Sequence, residues 1–173
     1  MKFTLLTHFK ELKKPSNTGR LVLEVLGSGA EQLRWDRMIP PAGLLKEIEA
    51  GGVALVYPGG ADETGGDLTG IRQVILIDGT WHEARKVYQR SPYLRKVRRV
   101  CLKPAEKSVY NLRKNQKESG LCTAECVIAI LRSIGAREDA ERLQERFLAL
   151  LRPLAPDMAG YGSLPDDQIV KVE

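Results

Sequence analysis

Long apolar runs are missing from this chain of 173 residues. No stretch approaches the roughly 20 residues that a membrane-spanning helix needs. The N-terminus, MKFTLLTHFKELKK, holds a short apolar stretch that His8 interrupts and charges follow, without the apolar core or small-residue cleavage site of a signal peptide. Both absences lead to the expectation of a cytoplasmic protein with no membrane partner. Cysteine is scarce too. Cys101, Cys122 and Cys126 cannot all pair within one chain, and a domain of this size needs no disulfide staple, so reduced thiols are expected. Cys122 and Cys126 sit four apart, but no second cysteine pair or nearby histidine completes a zinc set, and no metal is expected. The two histidines, His8 and His82, suggest no triad with any serine. Gly27-Ser28-Gly29 lacks the third glycine and the strand context of a dinucleotide fingerprint, and PGGADETGG lacks the Lys-Ser/Thr ending of a P-loop. No internal repeat or linker breaks the chain.

What is present is the composition of a folded domain: 43% hydrophobic and 28% charged residues. The length suits one domain with a real core, expected over residues 1–153, with a loosely ordered tail over 154–173. The net charge of +5 conceals an asymmetry. Between Arg85 and Lys117 stand twelve Lys or Arg residues and a single acid, Glu106, for a local +11. The remaining fifteen bases and twenty-one acids leave the rest of the chain at −6. A block so one-sided repels itself unless an anion compensates it, and phosphate is the obvious candidate. A nucleic-acid surface is therefore expected there.

Short β-rich runs alternate with helical ones. Phe3 to Thr7 reads as a strand. PSNTGRLVLEVLG follows with Asn17 as N-cap, Gly27 as terminator, and Leu21, Val22, Val25 and Leu26 at helical spacing. An amphipathic helix from about Ala42 to Ala50 ends at Gly51-Gly52, and Val53 to Tyr57 is a short buried strand. Tyr57 to Gly70 has no periodicity and reads as a loop. VILID is the continuous apolar run of a strand buried on both faces. Thr80 opens the next helix, through about Arg90, and forms capping-box spacing with Glu83. Val97 to Leu102 suggests another strand, and helices near 123–134 and 138–151 close the domain. Alternation of this kind means an α/β domain with a mostly parallel sheet flanked by helices.

Asp78 stands at the carboxyl end of the buried VILID strand, where such sheets place their ligands. Gly79 permits a tight turn and close backbone approach. Thr80 caps a helix whose free N–H groups favour anions. The same residues also suit a plain strand-to-helix turn. The Asn17-Thr18-Gly19-Arg20 turn offers N–H groups and a guanidinium to a carboxylate or phosphate. Its plain reading is an N-cap and a surface arginine.

VILIDGTWHEARK resembles the signature of the DTW-domain family, named for its Asp-x-Thr-Trp motif. Further segments follow the family's order: PSNTGR, YPG, SPYL, SVYNLRK and LCTAE, together spanning roughly Leu5 to Leu131. Two departures stand out. Members often begin with a cysteine-rich zinc-binding segment, whereas this sequence starts directly at the first strand. Cys122 stands where the family usually has Ser or Thr.

The resemblance implies a SPOUT-like fold with a C-terminal knot, S-adenosylmethionine (SAM) as co-substrate, and transfer of its 3-amino-3-carboxypropyl arm to N3 of a uridine in tRNA. SAM has three electrophilic carbons on its sulfonium, so a transferase selects one by positioning it. Uridine N3 attacks only after losing its proton. Asp78 is the candidate catalytic residue, either taking that proton or gripping the ammonium of the amino-acid arm, with gripping favoured because an ordinary Asp is a weak base. The resemblance places Asn17, Thr18, Gly19, Arg20, Tyr57, Pro58, Asp78, Gly79, Thr80 and Trp81 at the co-substrate. Leu121, Cys122, Thr123 and Glu125 are expected around its adenine, although Glu125 also suits a simple helix cap. Trp81 suits the cofactor, a base, or the core. RNA contacts are expected from Arg85, Lys86, Lys107, Ser108, Tyr110, Arg113 and Lys114. The competing readings are a SAM-dependent RNA methyltransferase and a non-catalytic RNA-binding domain.

Overall fold

A computed structural model describes residues 1–58, 67–102 and 121–152. Five strands form one sheet: β1 (Lys2–Thr7), β2 (Ala30–Arg34), β3 (Val53–Val56), β4 (Gln73–Asp78) and β5 (Arg98–Val100). Their order is β2-β1-β4-β3-β5, and every pairing is parallel. Among the described residues five α-helices flank it: α1 (Gly19–Leu26), α2 (Ala42–Glu49), α3 (Trp81–Gln89), α4 (Thr123–Ser133) and α5 (Arg137–Leu151).

Period-two alternation divides the inner strands between two cores. Phe3 and Leu5 of β1 and Val74 and Leu76 of β4 face α1, α4 and α5, where they meet Val22, Val127, Ile130, Leu143 and Phe147. Leu6, Ile75 and Leu55 face the other way, onto Leu44 of α2, Val87 of α3 and Leu94. Phe147 is 2% exposed, and removing such a ring costs about 3–5 kcal/mol. Both faces of β1 and β4 are thus covered. Their near-continuous apolar sequence is the consequence.

The structure adds and adjusts. β2 is an edge strand carrying Glu31, Gln32 and Arg34, so it lacks the apolar run that marks the inner strands. Thr18 immediately precedes α1 and makes no side-chain cap bond; the capping bond comes from Asn17, one residue earlier, whose Oδ1 accepts from Arg20 N–H at 3.2 Å while its Nδ2 donates to Asp78. Gly27 ends α1 at φ 51°, a region that disfavours side chains. The expected strand over 97–102 shortens to Arg98–Val100. The tail expected over 154–173 lies outside the described residues, and with 103–120 also outside them the expected C-terminal knot is not traced.

Candidate active site at the carboxyl end of the sheet

The parallel register of β1 and β4 pairs Thr7 with Asp78, so both strands deliver their last residue to one edge. Asp78 is 1% exposed there. Its Oδ2 accepts from Asn17 Nδ2 at 2.8 Å and from the Thr7 hydroxyl at 3.2 Å. Its Oδ1 accepts from the Thr123 hydroxyl at 2.8 Å. Three donors from β1, the turn before α1 and the start of α4 therefore converge on one carboxylate. All three are neutral, and among the described residues no Lys or Arg forms an ion pair with Asp78. A buried charge without a cationic partner is costly, because hydrogen bonds from neutral groups replace only part of its hydration.

The shell around this hub is equally specific. Gln32 Nε2 donates to the Thr7 hydroxyl at 3.1 Å, extending the network to β2. The Thr18 hydroxyl accepts from Ala124 N–H at 3.3 Å, tying the α1 turn to α4. Gly19 passes so close that a Cβ there would lie 3.0 Å from both Asn17 Oδ1 and Asp78 Oδ2. A side chain at this position would therefore press on the two oxygens that anchor the network. At α4, Cys122 N–H donates to Glu125 Oε2 at 2.8 Å, so Glu125 completes the helix cap. Burial pushes the Cys122 thiol well above its ordinary range, with the Glu125 charge adding to the effect. A neutral, buried thiol packs as a small hydrophobe and is no nucleophile.

Beside the hub, Thr80 and Glu83 form the expected capping box of α3. Thr80 N–H and its hydroxyl donate to Glu83 Oε2 at 2.9 and 2.8 Å, and Glu83 N–H donates to the Thr80 hydroxyl at 3.3 Å. Glu83 Oε1 lies 3.3 Å from His8 Nδ1. Burial pushes the Glu83 carboxyl up, but the bonds from Thr80, a contact with Glu11 and the His8 charge together hold it below its ordinary value. His8 is 8% exposed and stacks on Trp35 at 5.9 Å.

On the other side of the β4 terminus, Tyr57 stacks between Trp81 at 5.7 Å and Tyr88 at 4.2 Å. Trp81 is 40% exposed, which removes the core reading for it. Burial raises the Tyr57 hydroxyl above its ordinary range and Tyr88 adds to this, against the opposing pull of Arg85 and Arg99. Arg85 and Lys86 are exposed on α3.

Among the expected co-substrate residues, Asn17, Thr18, Gly19, Asp78 and Thr123 come together at the hub, with Gly79 and Thr80 leading from it and Cys122 and Glu125 capping α4. Arg20 and Pro58 are exposed, and Leu121 is half-buried before α4. Lys107, Ser108, Tyr110, Arg113 and Lys114 lie outside the described residues. Thr7, Gln32, His8 and Glu11 are the site residues that sequence reasoning missed. For Thr7 a signal existed, its place as the last residue of a strand parallel to the one ending in Asp78. For Gln32 there was none. No group of three His, Cys, Asp or Glu residues among those described is placed to hold a metal ion. No described helix is long and apolar enough to cross a membrane.

The sequence profile of the DTW domain matches residues 1–154, and the chain belongs to that family. A solved structure described as the SAM-dependent rRNA:acp-transferase Tsr3 from Vulcanisaeta distributa superposes with a TM-score of 0.54. Its sequence identity is 20%, over 91% of this chain and 85% of that one. The two share the fold.

Proposed function

We propose that this DTW-domain chain transfers the 3-amino-3-carboxypropyl group of SAM to N3 of a uridine in tRNA, in the cytoplasm, and releases methylthioadenosine. The observation that carries this reading is the Asp78 hub. A buried carboxylate with three neutral donors and no described cationic partner is completed by a ligand bearing positive charge, and SAM carries a sulfonium and an ammonium. Family membership and the fold shared with a SAM-dependent rRNA:acp-transferase support the same donor and the same transferred group. SAM supplies the electrophilic carbon: the uridine N3–H proton passes to water, the N3–C bond forms as the S–C bond breaks, and the sulfur keeps the bonding pair as it leaves in methylthioadenosine.

Within this reading Asp78 is an anchor rather than a base. Both its oxygens already accept hydrogen bonds from neutral groups, and an ordinary carboxylate is a weak base for the uridine proton. Its charge fixes the cationic centre of the donor, and fixing that centre decides which of three carbons meets the nucleophile. The exposed Arg20 guanidinium at the end of the Asn17–Arg20 turn suits the donor's carboxylate, and the turn at Leu121–Glu125 suits its adenine. The SPOUT-like character and the knot belong to the same proposal, as does RNA contact by the basic segment from Arg85 to Lys117.

The test is mass spectrometry of nucleosides from tRNA and, separately, rRNA incubated with the protein and SAM. An aminocarboxypropyl gain on uridine in tRNA with methylthioadenosine released is the expected result. The same gain in rRNA alone moves the substrate. A single methyl gain with S-adenosylhomocysteine released overturns the transfer reading in favour of a methyltransferase.

A further inference from the structure

Strands β1 and β2 end in register, so Thr7 and Arg34 lie side by side, with Asp78 level on the far side of Thr7. The loops that leave the two strands are joined to each other. Trp35 N–H donates to the Thr7 carbonyl at 2.9 Å, and the Trp35 ring stacks on His8 at 5.9 Å. His8 in turn meets Phe9, with ring centres 4.7 Å apart. This ladder begins on a buried tryptophan and ends on Phe9, which is 53% exposed.

The second loop is pinned where it is apolar. Asp36 Oδ1 accepts from Met38 N–H at 2.7 Å and from Ile39 N–H at 3.1 Å, and Pro40-Pro41 follow. Met38 and Ile39 stand out from this turn at 80% and 73% exposure. With Phe9 and Leu12 they are four of the seven large apolar side chains exposed among the described residues. Such clustering marks an interaction surface.

Charge decides what covers it. Lys10 and Lys13 on the first loop and Arg34 and Arg37 on the second are all exposed. Among the described residues none of the four forms an ion pair. The acids between them are engaged. Glu11 is buried against Lys14, and Asp36 is bonded into its own turn, its charge reaching Arg34 only through space. A second copy docking here about a two-fold axis would set cation against cation. The complementary partner is a polyanion with flat apolar groups, and RNA supplies both.

We propose that the loops after β1 and β2 form an RNA-binding surface, with Phe9 stacking on a base and Lys10, Lys13 and Arg37 holding phosphates. The proposal rests on the proposed function in taking RNA as the substrate. It adds a second point of grip. In the sheet β2 and β1 lie on one side of β4, and β3 and β5 lie on the other. Arg85 and Arg99 act electrostatically on Tyr57 at the end of β3, so their charge belongs to that other side. RNA held at both places crosses the carboxyl edge of the sheet with the Asp78 hub between its two grips.

The test is a fluorescence-anisotropy titration of two labelled RNAs, an unmodified tRNA transcript and an rRNA fragment, with the full chain and no SAM. Saturable binding of at least one is expected. Arg37→Glu weakens it about tenfold, and the slope of log affinity against log salt becomes shallower by about one, as for one lost phosphate contact. Arg137→Glu makes the same change of net charge at an exposed site at the start of α5, and it leaves the affinity near wild type. Phe9→Ala weakens binding about fivefold or more, whereas Phe9→Tyr, which keeps the ring, does not. Melting curves confirm that each variant is folded. Wild-type affinity in folded Arg37→Glu or folded Phe9→Ala, or no binding of either RNA, overturns the surface. So does a dimer in sedimentation that Met38→Ser dissolves, which would give the patch to a second copy. Because no donor is present, a chain without transfer activity still passes or fails this test, and the two readings fall separately.

Discussion

Two walls meet at the carboxyl end of β4, and they are built on opposite principles. The Asp78 wall is buried, anionic and polar, and three neutral side chains from distant parts of the sequence satisfy it. The Trp81 wall is half-open, aromatic and cationic, and residues close together on one helix and one strand end make most of it. A buried anionic pocket discriminates through charge and shape, and it suits a small cationic donor. The difference teaches that one strand end carries two chemistries, a buried polar pocket and an open aromatic and cationic surface, separated by the Gly79-Thr80 step between Asp78 and Trp81.

The contrast breaks most completely at Asp78. Asp78→Asn keeps the shape of the side chain and removes the charge, so SAM affinity measured by calorimetry falls roughly a hundredfold or more, as for loss of one partner of a buried pair. Gly19→Ala comes next. The added Cβ sits 3.0 Å from Asn17 Oδ1 and Asp78 Oδ2, so one of them must shift. SAM affinity falls about tenfold, equivalent to one or two distorted hydrogen bonds, with an unchanged far-ultraviolet circular dichroism spectrum. An unaltered affinity would show that the hub does not contact the donor.

On the aromatic side the effects are smaller. Thr80→Ala removes the hydroxyl of the capping box that starts α3, for a loss of about 1 kcal/mol in denaturant unfolding. The smallest effect concerns the edge strand beside Arg99. Hydrogen bonds from Thr69 first, and then the Arg98 guanidinium, lower the Asp67 carboxyl to about 2. A depressed carboxylate stabilises the fold above its unfolded value of 3.8, and that contribution is lost as pH falls toward about 2. A carboxyl NMR titration of Asp67 follows this directly. A midpoint near 3.8 would mean that the Asp67–Arg98 tie to β5 is absent in solution.

The inner strands were legible because burial on both faces writes itself as a continuous apolar run, as in the VILID of β4. Helix α3 was legible through Thr80 and Glu83, whose capping bond spans three residues and leaves a local signature. Strand β2 was not, since an edge strand with intermediate burial accepts Glu31 and Gln32 and loses its contrast with a loop. The site divides in the same way. Asp78 stands out by position after an apolar strand, and Asn17 and Thr123 stood out by resemblance to the DTW family. Thr7 offered only its place at the end of a strand, and Gln32 did not stand out at all.

The sequence by itself determined the local grammar: which segments are helix or strand, where caps and glycines end them, and where positive charge collects. These follow from interactions among residues a few positions apart, so a one-dimensional pattern records them. Only the tertiary structure decided that Thr7, Asn17 and Thr123 share one carboxylate, and that Tyr57 slides between Trp81 and Tyr88. Those meetings depend on strand order and on the register of β1 against β4. Many long-range contacts acting together set both, and they leave no periodic trace in the chain.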